Sequence, residues 1–345
     1  MLSISPVTNS SKAGNYFDSD NYYAKDDPEA KKLSGWWGKT AETLGLSGEI
    51  DREQFVSLLN GKMPNGEQLG IVKDGQNHHR NGYDLTFSAP KSVSLMLEIG
   101  GDKRLLTAHD NAVNATLAQI ESDLASARIT RKGETTIEHS GNLAVAKFLH
   151  DTSRALDPQL HTHAVVLNAT MREDGKIRSL ASQSHAKTGV DGKAGFMERL
   201  FENKLYYGSL YRSHLAYEVN QLGYEVNKTH RDGRFELAGI NKTILEHFSK
   251  RRADIEHAMQ THGLEGAKDA AYATILTRAN KQVVSHDELR AFWQQEAKAV
   301  GFKPEAILEQ ANVRAQSPDK TQYHAPSSEK SFSFQLVASF DFLSK

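Results

Sequence analysis

One short stretch constrains this chain more than any other. Leu160 to Thr170 reads Leu-His-Thr-His-Ala-Val-Val-Leu-Asn-Ala-Thr, an apolar run with histidines alternating at its start. That pattern predicts a strand. Successive side chains of a strand point to opposite faces. His161, His163, Val165 and Leu167 therefore share one face, and Leu160, Thr162, Ala164 and Val166 share the other. Two imidazoles at i and i+2 on one face are within reach of a single metal ion. A preceding strand is predicted over Leu143–Leu149, running into His150-Asp151-Thr152-Ser153-Arg154. The chain must turn back after it, which sets His150 against the pair as an antiparallel neighbour. Three neutral imidazoles leave coordination positions open, the pattern of a catalytic site rather than a structural one. Imidazole ligands suit zinc, nickel or copper. The alternative is a set of strand histidines with no metal, and spacing alone does not choose between the two.

Histidine has to carry any such duty, because the chain contains no cysteine. Disulfide scaffolds, thiolate zinc sites and cysteine nucleophiles are excluded, and a reducing, cytoplasmic compartment fits. The 345 residues allow one large domain or two. A formal net charge of −1 means that any nucleic-acid surface must be a local basic patch. No run of 18 apolar residues is present, so no membrane insertion is expected. The N-terminal residues lack a basic leader and an apolar core, so no secretory signal is expected either.

Around the histidines, alternation at Leu2, Ile4 and Pro6 predicts a first strand, followed by a Ser/Asn/Gly loop. Asp51–Leu59 is a helix with Asp51 as N-cap and Gln54 at the capping-box position. Tyr83–Ser88 is a strand, and Pro90 opens a helix that Gly100-Gly101 stops. Asp102 caps a long helix carrying Leu106, Val113, Leu117, Ile120 and Leu124 at helical spacing. Helices are predicted over 198–222 and near 241–258, the latter with the basic cluster Lys250-Arg251-Arg252. The fold class is α+β, with helices packed on a mainly antiparallel sheet. From about residue 315 the composition turns Ser/Pro/Lys-rich, as in a linker or frayed tail.

A second cluster stands near the N-terminus: Asn15-Tyr16-Phe17-Asp18-Ser19-Asp20-Asn21-Tyr22-Tyr23. A phenol with pKa about 10 is a weak nucleophile unless a base or a metal assists it. Aromatic packing, or stacking of single-stranded bases, would use the same residues. Lys39-Thr40 looks like the end of a P-loop but fails, because Leu33 occupies the first glycine position.

Together these segments resemble the relaxase domain of the TrwC/TraI family of conjugative proteins, within the HUH endonucleases. The resemblance rests on Asn15-Tyr16 with Tyr22-Tyr23, Gly45-Leu46-Ser47-Gly48 and Gly82 through Ser94. It continues through His150-Asp151-Thr152-Ser153-Arg154, Pro158 through Val165 and the helix at 198–224. It implies a palm over 1–235 with a central antiparallel sheet, a helical fingers region over 236–315 that closes over DNA, and a tail at 316–345. The implied reaction is site- and strand-specific nicking of single-stranded DNA at a plasmid origin of transfer, through a 5′-phosphotyrosyl intermediate. Tyr16 is the implied nucleophile, and His150, His161 and His163 the ligands of a divalent ion, magnesium or manganese by resemblance. Asp84 would orient an imidazole and receive the tyrosine proton. Lys91 and Arg154 would contact phosphates or serve as framework ion pairs. The implied partners are single-stranded DNA and a hairpin at the origin, relaxosome accessory proteins and a coupling protein.

Phe17 departs from the paired tyrosines of the family. Either Tyr22 or Tyr23 then performs a second transfer, and reading Asp18–Asn21 as a turn favours Tyr22. Longer members continue into a helicase; no helicase motif is found here, as in a relaxase-only, truncated or excised chain. A rolling-circle replication initiator and a non-catalytic origin-binding module are the alternatives. A three-histidine hydrolase is another, and it would leave the tyrosines without a role.

Overall fold

The computed structural model describes residues 1–19, 28–182, 195–277 and 285–316. Residues 317–345, and with them almost all of the expected tail, lie outside the described residues. In chain order the elements begin β1 (Leu2–Val7), α1 (Ser10–Ser19), α2 (Pro28–Leu33), β2 (Gly35–Trp37), α3 (Lys39–Thr43) and α4 (Arg52–Leu59). The hairpin β3 (Ile71–Lys73) and β4 (Gln76–His78) leads to β5 (Gly82–Ser88), α5 (Lys91–Glu98) and α6 (Arg104–Leu124). A second hairpin, β6 (Ser126–Arg131) and β7 (Glu134–His139), precedes β8 (Val145–Thr152) and β9 (Pro158–Leu167). The small pair β10 (Thr170–Met171) and β11 (Ile177–Arg178) precedes α7 (Phe196–Glu202) and α8 (Lys204–Gln221). After the pair β12 (Val226–Lys228) and β13 (Phe235–Leu237) come, among the described residues, five helices. These are α9 (Lys242–His247), α10 (Lys250–Thr261), α11 (Gly266–Leu276), α12 (His286–Ala299) and α13 (Pro304–Ala315).

A five-stranded antiparallel sheet in the order β1-β5-β9-β8-β2 is the centre of the molecule. Both of its faces are covered. On one, Leu85, Phe87, Leu160, Ala164 and Val166 join the main apolar cluster with α5, α6 and α8. The α6 residues Leu106, Val113, Leu117, Ile120 and Leu124 are all buried there, as their spacing requires. Helices α9, α12 and α13 contribute Ile244, Trp293 and Ala311 to the same cluster. On the other face a smaller cluster gathers Phe148, Val165 and Leu167 under α4, with Phe55 and Phe148 in edge contact at 5.4 Å. At the start of β5, Gly82 (φ +154°) allows the close approach of β9, since a Cβ there would collide with the Val166 carbonyl.

Several expectations are corrected. The segment after β1 is a helix rather than a loop. Asn9 Oδ1 accepts the Lys12 N–H at 2.8 Å, so the polar run supplies a helix cap. Gly14 lets α1 cross α4 closely, for a Cβ would stand 2.5 Å from Val56 Cγ2. Helix α1 continues through Ser19, so Asp18 and Ser19 do not form a turn; Asp20 and Asn21 lie outside the described residues. The helix expected over 198–222 is two, broken at Asn203, and the one near 241–258 divides between α9 and α10. The strand expected over Leu160–Thr170 ends at Leu167. The Asp51 cap holds, with its carboxylate accepting the Gln54 N–H at 2.7 Å. Asp102 lies just before α6 and accepts from the Arg104 N–H and guanidinium.

Because α4 carries α1 and its Phe55 packs on the sheet against Phe148 and Trp36, Phe55→Ala should cost about 3–5 kcal/mol. Urea unfolding measures this; a loss below about 1 kcal/mol, within the range of ordinary surface changes, would contradict the packing role.

Candidate metal centre

The register of three strands assembles the histidines. In the β8–β9 pairing His150 stands opposite His161, and His163 opposite Phe148. In the β5–β9 pairing His163 stands opposite Thr86, and Asp84 opposite Val165. Between His150↔His161 and Thr152↔Pro158 the strand β9 carries two residues where β8 carries one. Such a bulge bends a strand and re-aims its side chains. The three imidazole centres lie 5.2 Å from one another in every pair. A metal–nitrogen bond of about 2.1 Å puts a ring centre about 3.2 Å from the ion, so tetrahedrally arranged rings stand about 5.2 Å apart. The triangle has the size of a shared metal seat.

Two of the imidazoles also have their protons assigned by partners. His161 Nδ1 is 2.7 Å from the Gln159 carbonyl oxygen, which can only accept. His163 Nδ1 lies 2.8 and 3.0 Å from the Asp84 carboxylate oxygens and 3.2 Å from Thr86 Oγ1. With the proton on Nδ1, Nε2 keeps its lone pair for a metal, and this outer contact orients the ring. His150 and His163 are buried, and His161 is half-buried, so the seat opens to one side. The donor set fits a divalent cation of intermediate softness.

The opposite face of β9 is pinned from the core. Thr162 Oγ1 is 2.9 Å from His109 Nε2, and His109 Nδ1 is 2.8 Å from the Tyr211 hydroxyl. Burial holds the His109 pKa well below the usual imidazole value, so it is a neutral linker.

Tyr16 lies on α1. That helix packs on α4 through Gly14 and Val56 and through the Arg52 Nε–Asn15 Oδ1 hydrogen bond of 3.1 Å. Helix α4 in turn covers the sheet face that carries Phe148 and, two residues on, His150. The helix bearing Tyr16 and the histidine triangle thus share one side of the sheet. Where the Tyr16 side chain points lies outside what the structure describes, and Tyr22 and Tyr23 lie outside the described residues.

Lys91 is not gathered with the triangle. Its Nζ donates to the Pro158 carbonyl at 2.6 Å. Burial lowers its pKa to about 8, against the nearby Asp157 and Glu236, which act in the opposite direction. Arg154 sits in the turn between β8 and β9. Thr86 and the Gln159 carbonyl were not singled out in the sequence, although Thr86 shares the strand face of Asp84 by simple alternation. A further polar group, Glu98, Asp151 and His286, lies on the far side of β8 from the triangle. Alternation signals Asp151, which must face away from its neighbour His150. No local pattern signals His286, more than 100 residues downstream.

If Asp84 orients His163, Asp84→Ala should weaken metal binding about 10- to 100-fold. Calorimetric titration of the metal-stripped protein with Mn²⁺ measures this, and an unchanged affinity would remove Asp84 from the centre.

Comparison with known proteins gives consistent results. The TrwC relaxase family profile matches residues 8–300. The multifunctional conjugation protein TraI of Escherichia coli K12 is 42% identical over 316 residues, which cover 91% of this chain and 17% of that protein. A second Escherichia coli TraI is 41% identical over 330 residues, 95% of this chain and 18% of that protein. The chain thus spans less than a fifth of the curated relatives it matches. Among solved structures, the copper-bound conjugative relaxase TrwC in complex with oriT DNA superposes with a TM-score of 0.76 at 40% identity. The match covers 88% of this chain and 100% of that one. TrwC complexed with a 27-mer DNA comprising the recognition hairpin and the cleavage site gives 0.73 at 38%, with the same coverage.

Proposed function

The chain belongs to the TrwC relaxase family, and from that membership we propose that it nicks one DNA strand at a plasmid origin of transfer and holds the cut end covalently. The observation that carries this reading is the 5.2 Å histidine triangle on the side of the sheet covered by the Tyr16 helix. Related relaxases have been solved with metal and with oriT DNA, which supports the same pairing of ion and single strand here.

In this reading His150, His161 and His163 hold a divalent cation. When bound, the ion draws electron density from the scissile phosphate and offsets charge that builds on its oxygens. Tyr16 supplies the nucleophile. Its phenolic oxygen bonds to phosphorus, the bond to the 3′ oxygen breaks, and the 5′ phosphate stays on the protein. Asp84 keeps His163 in its tautomer and accepts the phenolic proton; the departing 3′ oxygen takes a proton in turn. A second transfer falls to Tyr22 or Tyr23, since Phe17 has no oxygen to offer. Magnesium or manganese is the resident ion by family, while the imidazole set also accepts zinc, nickel or copper.

DNA is the partner we assign, as a single strand with an adjoining hairpin, together with accessory proteins and a coupling protein of the transfer machinery. Residues 1–235 serve as the palm and 236–315 as the fingers over the strand. Lys91, whose ammonium reaches the Pro158 carbonyl at the end of the β8–β9 turn, and Arg154 within that turn are the basic residues we assign to phosphate contact or framework pairing. No described helix is long and apolar enough to cross a membrane. The absence of cysteine and a plasmid substrate agree with a cytoplasmic setting.

The test is incubation with a single-stranded origin oligonucleotide and a denaturing gel. A covalent adduct is expected with the wild type and none with Tyr16→Phe, while DNA affinity stays nearly equal. An adduct at wild-type yield in Tyr16→Phe would exclude it as the primary nucleophile. Excess chelator should stop cleavage and added Mn²⁺ should restore it; cleavage undiminished by chelator would exclude a catalytic ion. Affinity should also fall with salt, with a log–log slope of about −0.7 per phosphate neutralised. Binding that ignores salt would exclude a phosphate-gripping surface.

A further inference from the structure

Residues 153–157, the turn that joins β8 to β9, are held by elements distant in sequence. The turn closes on itself through Ser153 N–H to the Asp157 carbonyl at 2.9 Å and Leu156 N–H to the Ser153 carbonyl at 3.0 Å. It also contains a strained position. Leu156 has φ +59°, a left-handed conformation that costs a branched side chain roughly 1–2 kcal/mol. External contacts fall on three consecutive residues, Leu156, Asp157 and Pro158. The Leu156 carbonyl accepts the indole N–H of the buried Trp293 in α12 at 2.8 Å. The buried Asp157 accepts the backbone N–H of Lys250, the first residue of α10, at 2.7 Å. Lys91 of α5 holds the Pro158 carbonyl at 2.6 Å. Helix α12 reaches β8 as well, since His286 Nδ1 is 3.2 Å from Asp151 Oδ2.

Beyond the Thr152↔Pro158 pair that closes this turn, and across the bulge, His150 and His161 are the next residues opposite each other. A strained turn held by distant helices sets how far its two strands splay, and splay sets the distance between these rings. We infer that Asp157 and Trp293 are positioning residues for the histidine centre, through which α10 and α12 control its metal affinity. This inference rests on the reading of His150, His161 and His163 as ligands. Loss of either clamp releases the turn, widens the triangle and weakens the ion without removing any ligand.

The experiment titrates the metal-stripped full chain with Mn²⁺ by calorimetry, alongside thermal unfolding. Asp157→Ala and Trp293→Phe should each weaken Mn²⁺ about tenfold or more, as loss of an outer support does elsewhere. Asp157→Asn keeps an oxygen that accepts the Lys250 N–H, so its affinity should stay near that of the wild type. A merely structural role would lower unfolding temperature in these variants and leave affinity unmoved, and that result would overturn the inference. Equal losses in Asp157→Asn and Asp157→Ala would overturn it as well. Should Asp157→Ala not fold, Trp293→Phe decides alone. Wild-type protein that takes up no Mn²⁺, or a His161→Ala variant that binds it as tightly as wild type, would instead refute the histidine reading, and the positioning role with it.

Discussion

The antiparallel register of β5, β9 and β8 is the constraint on which the rest of this molecule depends. One residue of slip would turn His161 and His163 to the other face and bring Thr162 in their place. The register is secured because both faces are buried and their apolar sets are distinct. Leu160, Ala164 and Val166 fill one cluster, Val165 and Leu167 the other. Polar anchors add direction to that packing. Consecutive residues of α6 reach the two histidine strands: His109 bonds Thr162 of β9, and Asp110 pairs with the buried Lys147 of β8 at 2.7 Å. Asn114, one turn on, takes the same ammonium at 2.7 Å. A buried ion pair of this kind adds little net stability, but its geometry is demanding, and breaking it leaves an uncompensated charge. One helix thus holds β8 and β9 in relative position from behind the centre.

Much of this was legible in the chain because it is local. Alternation over Leu160–Leu167 predicts which side chains join the histidines, and the structure has the same two faces. The period of α6 and the Asp51 cap are read from neighbours three or four residues apart. Local signals mislead where tertiary packing overrides them. Ser10, Ser11 and Gly14 look like a loop, yet Asn9 caps a helix there and Gly14 serves a close crossing with α4. Because α1 runs through Ser19, Asp18 and Ser19 give no turn to favour Tyr22 over Tyr23.

Long-range chemistry was less visible. Asp84 and His163 are 79 residues apart, and their contact follows only once β5 is known to pair with β9. Trp293 and His286 belong to one helix, α12, whose relation to the β8–β9 turn no spacing rule conveys. From its motif Lys91 reads equally as a phosphate contact or a framework ion pair; only the assembled structure shows its ammonium donating to the Pro158 carbonyl, near Asp157 and Glu236. Local pattern brings the three histidines to one face; the arrangement that holds them is a property of the assembled sheet and helices.

Three imidazoles of one chain that share one ion leave a countable signature. Electron paramagnetic resonance of the protein loaded with Cu²⁺ tests this most directly, because each bound imidazole nitrogen splits the signal. One copper per chain with three coupled nitrogens is expected, falling to two in His161→Ala. A signal that does not saturate at one equivalent, or that His161→Ala leaves unchanged, would contradict the claim and return these histidines to the role of strand residues.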